Sequence, residues 1–195
     1  MATISQTPSG TADILPLWRF SNDTYLKMVN CGVLGPNDHV ELIRGMVVDI
    51  SPSGSRHSHF LAALNRIFLP TWERGEVWIQ GTLIVAEGEI YDPDFMLLRT
   101  KTGGYKEQLP RPTDVLLVVE AADSSLRRDQ QVKLPVYANA LIPEYWIADL
   151  QRETLVVHRD PQPGGYRIVE TWCGDDVVSP LAAPDFSFAV RKAFD

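Results

Sequence analysis

Apolar and polar positions divide this chain into short elements. Ser21-Asn22-Asp23-Thr24 is a helix-start signal; Tyr25, Leu26, Met28 and Val29 follow at helical spacing, and Gly32 closes the segment. Val40-Glu41-Leu42-Ile43 and Met46-Val47-Val48-Asp49-Ile50 flank Arg44-Gly45 and predict a hairpin, ended by Ser51-Pro52-Ser53-Gly54. From about Ser58 a helix is expected, with Phe60, Leu61, Leu64, Ile67 and Phe68 on one side and Gly75 marking its end. Val77 to Ile79 and Thr82 to Val85 read as strands around Gly81. Asp92-Pro93-Asp94 leads into the apolar run Phe95 to Leu98, so Asp92 and Asp94 are expected on one strand face. Gly103, Gly104, Pro110 and Pro112 make residues 99–113 a loop. Val115 to Val119 is continuously apolar, as in a strand buried on both faces.

Residues 127–140 read as a helix with Pro135 inside it. A proline there removes a donor and clashes with the preceding turn, which predicts a kink or a restart. Tyr145 to Asp149 and Thr154 to His158 form a second hairpin, Tyr166 to Thr171 a further strand and Phe186 to Val190 a late one. Strands mixed with helices at 21–31, 58–73 and 127–140 give an α/β or α+β domain over residues 21–195, behind a loose arm at 1–20.

Composition narrows this picture. The 195 residues are 45% hydrophobic and 22% charged, as in an ordinary globular domain. No apolar run approaches the ~20 residues of a membrane span, and the first 20 residues lack the pattern of a signal peptide. Cys31 and Cys173 give neither a disulfide framework nor metal-ligand spacing, so a reducing cytoplasm is expected. The formal net charge of −7 weighs against nucleic-acid binding, which wants Lys and Arg for phosphates. Basic residues do gather locally: Arg99, Lys101, Lys106 and Arg111 between the two acidic strands, and Arg127, Arg128 and Lys133 after the second.

The chemistry concentrates between Asp92 and Lys133. Asp94 opens one apolar strand and Glu120 lies near the end of the next, Val115 to Ala122. If those strands are neighbours, the two carboxylates suit Mg²⁺, which neutralises a phosphate and activates water. A lysine beside that water can orient it. Position 122, on the same strand face as Glu120, holds Ala122, whose small side chain leaves room. Lys133 follows on the next helix, which can pack back over that face. By spacing alone, a strand-end glutamate and a surface lysine are the simpler reading.

The segments Val118-Val119-Glu120-Ala121-Ala122-Asp123-Ser124-Ser125-Leu126, Lys133-Leu134-Pro135-Val136-Tyr137-Ala138 and Ile142-Pro143-Glu144-Tyr145-Trp146-Ile147-Ala148-Asp149 resemble the core pattern of the Uma-two family. That bacterial family of endonucleases lies within the PD-(D/E)XK, or restriction-endonuclease-like, superfamily. Glu41-Leu42-Ile43, Gly45, Ser51-Pro52, Arg56-His57 and Pro93-Asp94 match it too, so the resemblance spans roughly residues 20 to 171. It implies a mixed β-sheet flanked by helices and Mg²⁺- or Mn²⁺-dependent cleavage of DNA by a homodimer. Asp94 and Glu120 take the places of the metal-binding acids, Glu41 that of an acid from an early element, and Lys133 that of a lysine moved from strand to helix. Ala121 stands where the family has valine, and Arg44 where an acidic or small residue is common.

Other residues receive plainer readings. His57 and His59 diverge on a helix and make no zinc pair; His57, with Arg127 and Arg128, is a candidate substrate contact. Asp92 is read as a solvated strand entrance. Tyr137, Tyr145 and Trp146 are read as core rather than as base-stacking groups. Asp129, four residues before Lys133, is expected to pair with it. Ser124 and Ser125 are turn and helix-cap residues. The alternative function is a catalytically silent module that keeps the nuclease fold for binding.

Overall fold

The computed structural model describes residues 16–35, 37–50, 54–70, 72 and 75–195. Most of the expected arm, residues 1–15, and the Ser51 to Ser53 hairpin end lie outside that range. Two sheets carry the fold. The smaller, antiparallel one has the order β2-β1-β5-β4, from β1 (Val40–Ile43), β2 (Met46–Asp49), β4 (Leu83–Ala86) and β5 (Glu89–Tyr91). The larger has the order β10-β9-β8-β7-β6-β3, from β3 (Gly75–Ile79), β6 (Phe95–Arg99), β7 (Val115–Ala122), β8 (Glu144–Asp149), β9 (Thr154–Gln162) and β10 (Gly165–Cys173). Only its β7–β8 pair is parallel, and that crossover carries the helical segment 126–139.

Local chemistry explains the elements that the sequence announced. Helix α1 (Asn22–Asn30) starts at Ser21, whose Oγ accepts from the Thr24 N–H at 3.2 Å. Arg44 and Gly45 both have positive φ, 52° and 71°, as a two-residue hairpin turn matched to strand twist requires. A Cβ at Gly45 would stand 2.8 Å from Cβ of Arg19, so glycine also lets residues 19–20 lie against the turn. Helix α2 (Ser55–Phe68) buries Phe60, Leu61, Leu64 and Phe68 against the large sheet. It stops short of the expected residue 73 because Pro70 has no N–H to carry the helical bonding on, although Leu69 before it still has helical φ and ψ, −57° and −42°.

The structure corrects the sequence reading in four places. The strands on either side of Gly81 belong to different sheets. A three-residue strand, β5, precedes Asp92, so Asp92-Pro93-Asp94 is the crossing from small sheet to large rather than a strand face. The pair β11 (Val177–Val178) and β12 (Phe188–Ala189) adds a strand not anticipated. The helix expected over 127–140 is instead α3 (Leu126–Arg128), a π-helical turn (Asp129–Lys133) and α4 (Leu134–Asn139). The wide turn ends two residues before Pro135, and widening there removes the clash of the proline ring with the preceding carbonyl. No described helix is long and apolar enough to cross a membrane.

Candidate active site

Strand β7 brings Glu120 to its carboxyl end, buried in an otherwise apolar run. The π-helical turn aims Lys133 at it. The Lys133 Nζ donates to Oε1 of Glu120 and to Oε1 of Glu41, at 2.9 Å each, and all three side chains are at most 3% exposed as residues. Three elements far apart in sequence thus meet in one buried ion triad. Tyr137, four residues beyond Lys133 on the same helical face, donates its hydroxyl to Glu120 Oε1 at 2.9 Å. The Tyr91 ring lies 5.5 Å from Nζ, a cation–π contact that completes the cage.

Asp94 stands at the start of β6, beside the end of β7. Its Oδ2 accepts from the Ala121 N–H at 2.8 Å, and its Oδ1 lies 2.7 Å from His57 Nε2. His57 comes from the first turn of α2, so the site draws on helices from both faces of the large sheet. The expected Asp129–Lys133 pair does not form. The wide turn breaks the four-residue phase, and Asp129 Oδ2 accepts instead from Ser125 Oγ at 2.6 Å. Asp92 is half-buried, and its N–H donates to Glu41 Oε1 at 3.1 Å. It is therefore a neighbour of the triad and not a solvated entrance.

Burial and charge set the protonation. Burial alone would lower the Lys133 pKa, but Glu120, Glu41 and Asp129 outweigh it and hold the ammonium well above its ordinary value. Burial pushes Glu120 well above its ordinary value, and the charge of Lys133 opposes the rise. Burial also raises Asp92, opposed by a Thr82 hydrogen bond, and Asp129, opposed by Lys133 and Ser125. For His57 burial lowers the pKa, and the hydrogen bond and charge of Asp94 more than reverse it.

These groups form the floor of a cavity of about 990 Å³. Glu41, Asp94, Glu120, Lys133, His57 and Arg128 all line it. Arg127 does not. It is exposed, with Nε donating to Gln131. Two deeply buried polar atoms in the lining residues, Glu41 Oε2 and His57 Nδ1, have no hydrogen-bond partner, and neither has Arg128 Nε. The structure therefore unites Glu41, Glu120 and Lys133, sets Asp94 and His57 beside them, and leaves Arg127 outside. Among the described residues no group of three or more His, Cys, Asp or Glu side chains stands at metal-holding spacing. His59 is exposed, apart from His57. Tyr137 and Tyr91 were not anticipated as partners of the triad. The four-residue step from Lys133 could have found Tyr137; nothing local marks Tyr91.

Residues 23–191 match the model of the Uma2 family, described as "Putative restriction endonuclease". The fold is similar to the crystal structure of a putative nuclease belonging to DUF820 from Anabaena variabilis. The TM-score is 0.68 at 14% identity, over 90% of this chain and 97% of that one. No curated protein matches the sequence. The likeness shows a shared mixed α+β fold, and the family match supports a nuclease function.

Proposed function

The chain belongs to the Uma2 family, and from that premise we propose that it hydrolyses DNA phosphodiester bonds with Mg²⁺ or Mn²⁺ at the Asp94–Glu120 end of the cavity. The observation that carries this reading is the convergence of Glu41, Glu120 and Lys133 from three separate elements on one buried point of that cavity.

The donor set fits such an ion. Mg²⁺ prefers oxygen ligands and keeps several waters, so one or two carboxylates suffice. Asp94 and Glu120 would hold it, and Glu41, with its unpartnered buried Oε2, offers a further oxygen. When bound, the cation supplies charge neutralisation at the phosphate and acidifies a water. The protein's own groups do the rest. Lys133, held as an ammonium by the neighbouring carboxylates, orients a water by donation and stabilises negative charge. Tyr137 keeps Glu120 turned toward the triad. His57 holds one oxygen of Asp94 while the Ala121 amide holds the other. Arg128, at the cavity wall, meets a phosphate, and Arg127 lies beyond it on the same turn.

Thermal melting tests the site directly. Mn²⁺ should raise the wild-type melting temperature, since a ligand that binds only the native state stabilises it by about 2.7 kcal/mol at a hundredfold excess over Kd. The Asp94→Ala variant should not respond. Glu120→Ala should fold yet lose metal-dependent cleavage, and unchanged cleavage would remove that residue from the assignment. The net charge of −7 favours one second reading, a silent binding module. Absence of any Mn²⁺ response in the wild type would favour it.

A further inference from the structure

We propose that the cavity takes an unpaired DNA strand, such as a flap or frayed end, rather than a duplex tract. This inference rests on the nuclease reading above and narrows its substrate.

The lining has two unlike contributions. The triad side is charged, with Asp92, Asp94, Asp123 and Asp129 beside Glu41 and Glu120. The other side comes from α1, the turn after it, the start of β1 and one loop, with Leu26, Val29, Leu34, Val40 and Leu109 beside the polar Asn30, Asp38 and His39. Tyr25 anchors that side, its hydroxyl donating to the Val40 carbonyl at 2.9 Å. Four of these apolar residues also pack on the small core of the four-stranded sheet, while Val29 is 43% exposed. An apolar wall facing carboxylates is of no use to a paired duplex, whose bases are hidden from it. It suits a base that has left the stack, because burying its face needs no particular sequence.

Cations point the same way. Duplex binding draws most of its strength from many phosphate contacts. Among the described lining residues the Lys and Arg are Arg128 and Lys133, and Lys133 is already committed to two carboxylates. The basic loop residues Lys101, Lys106 and Arg111 do not line the cavity; of that loop, Leu109 does. One guanidinium with an unpartnered buried Nε fits one phosphate. The partnerless Glu41 Oε2 and His57 Nδ1 give a bound nucleotide further polar atoms to meet. A volume of about 990 Å³ is at the top of the small-molecule range, room for a few nucleotides and not for a double helix.

The test uses the full chain and labelled DNA of one sequence: a single strand of about 12 nucleotides, its blunt duplex, and a duplex with an unpaired arm. Anisotropy with Ca²⁺ reads binding, and gels with Mn²⁺ read cleavage. The single strand should bind at least about tenfold tighter than the duplex, its affinity should fall only weakly between about 50 and 200 mM salt, and the armed substrate should be cut in its arm. Val29→Ser, at an exposed position, should weaken single-strand binding about threefold to tenfold through lost apolar contact while leaving duplex binding unchanged. Equal or tighter duplex binding with cleavage in the paired region overturns this inference and leaves the nuclease reading standing. Wild-type single-strand affinity in Val29→Ser also overturns it. Failure to bind or cut any of the three substrates overturns both.

Discussion

The two faces of the six-stranded sheet are built to different ends, and β7 shows both within eight residues. Leu117, Val119 and Ala121 point into a core covered by α2 and the C-terminal segment, where Phe68 meets Phe95, Phe186 and Phe188 with ring centroids 5.1–5.7 Å apart. Val115, Val118 and Ala122 point the other way, with Glu120 among them, toward the π-helical turn and the small sheet. A bulge at Leu116 shifts the phase between Val115 and Leu117. On this second face the tyrosines tie their hydroxyls down, Tyr137 to Glu120 and Tyr166 to the Ile142 carbonyl. The first face gains mostly from close packing, with one buried ion pair, Glu144–Arg159 at 2.7 Å, at its edge. The second buries a lysine and two glutamates, whose desolvation offsets much of their attraction. Both faces of the strand thus carry an apolar core, and the second adds a charged arrangement with no stabilising necessity.

The comparison breaks most sharply at Phe68, which is fully buried. Phe68→Ala should cost about 3–5 kcal/mol in denaturant unfolding, yet leave cleavage per folded molecule unchanged at low temperature. Loss of cleavage in the folded fraction would show that the packed face also shapes the site. On the polar face, Lys133→Met removes one member of the triad and leaves two carboxylates buried together, a loss of about 3–5 kcal/mol. Replacing all three residues, Glu41→Met with Glu120→Met and Lys133→Met, should be neutral or stabilising by about 1–4 kcal/mol, with cleavage gone. A triple variant that unfolds would mean that the triad holds the two sheets together.

That division was only half visible in the sequence. The continuous apolar run at Val115 to Val119 announced a strand buried on both faces, and Glu120 and Lys133 were candidates by residue type, with Glu41 added by the family resemblance; their meeting at one point was not legible. Periodicity is local, however, and cannot say which sheet a strand joins, so the strands on either side of Gly81 could be read without their placement in two different sheets. The same limit hid β5, three residues long, and with it the placing of Asp92 beside Glu41. The π-helical turn was hidden because a proline inside a helical pattern admits more than one local solution. Pro135 signals an interruption but not its form, and the sequence left kink and restart open, whereas the chain widens before the proline and resumes as regular helix through it.

A smaller effect tests how the polar face holds its geometry. Tyr137→Phe removes one hydrogen bond to Glu120 and should cost roughly 1.5–3 kcal/mol, the range for a bond to a charged group. A purely structural tyrosine would change stability alone. One that positions Glu120 should also weaken Mn²⁺-dependent stabilisation relative to wild type.

The smallest expected effect is on pH, and its sign separates two kinds of buried group on the polar face. His158 lies between Tyr145 and Tyr166, ring centroids 5.6 and 5.9 Å away. Burial lowers its pKa below 6.5, opposed by the Tyr145 and Val156 backbone. The folded protein therefore keeps it neutral while the unfolded chain takes a proton near pH 6.5, so the unfolded state binds more protons and stability falls as pH drops through that value. Asp92, Asp129 and Glu120 act oppositely. Their raised pKa values mean that the fold takes protons before the unfolded chain does, so their cost shrinks as pH falls. Comparing wild type with His158→Phe cancels the carboxyl contribution, since His158 is not among the charges that shift those three groups. Between about pH 7.5 and 5.5 the wild type should lose stability relative to the variant. A constant difference would mean that His158 takes its proton in the fold as readily as in the unfolded chain, and that burial between the tyrosines does not disfavour its charge.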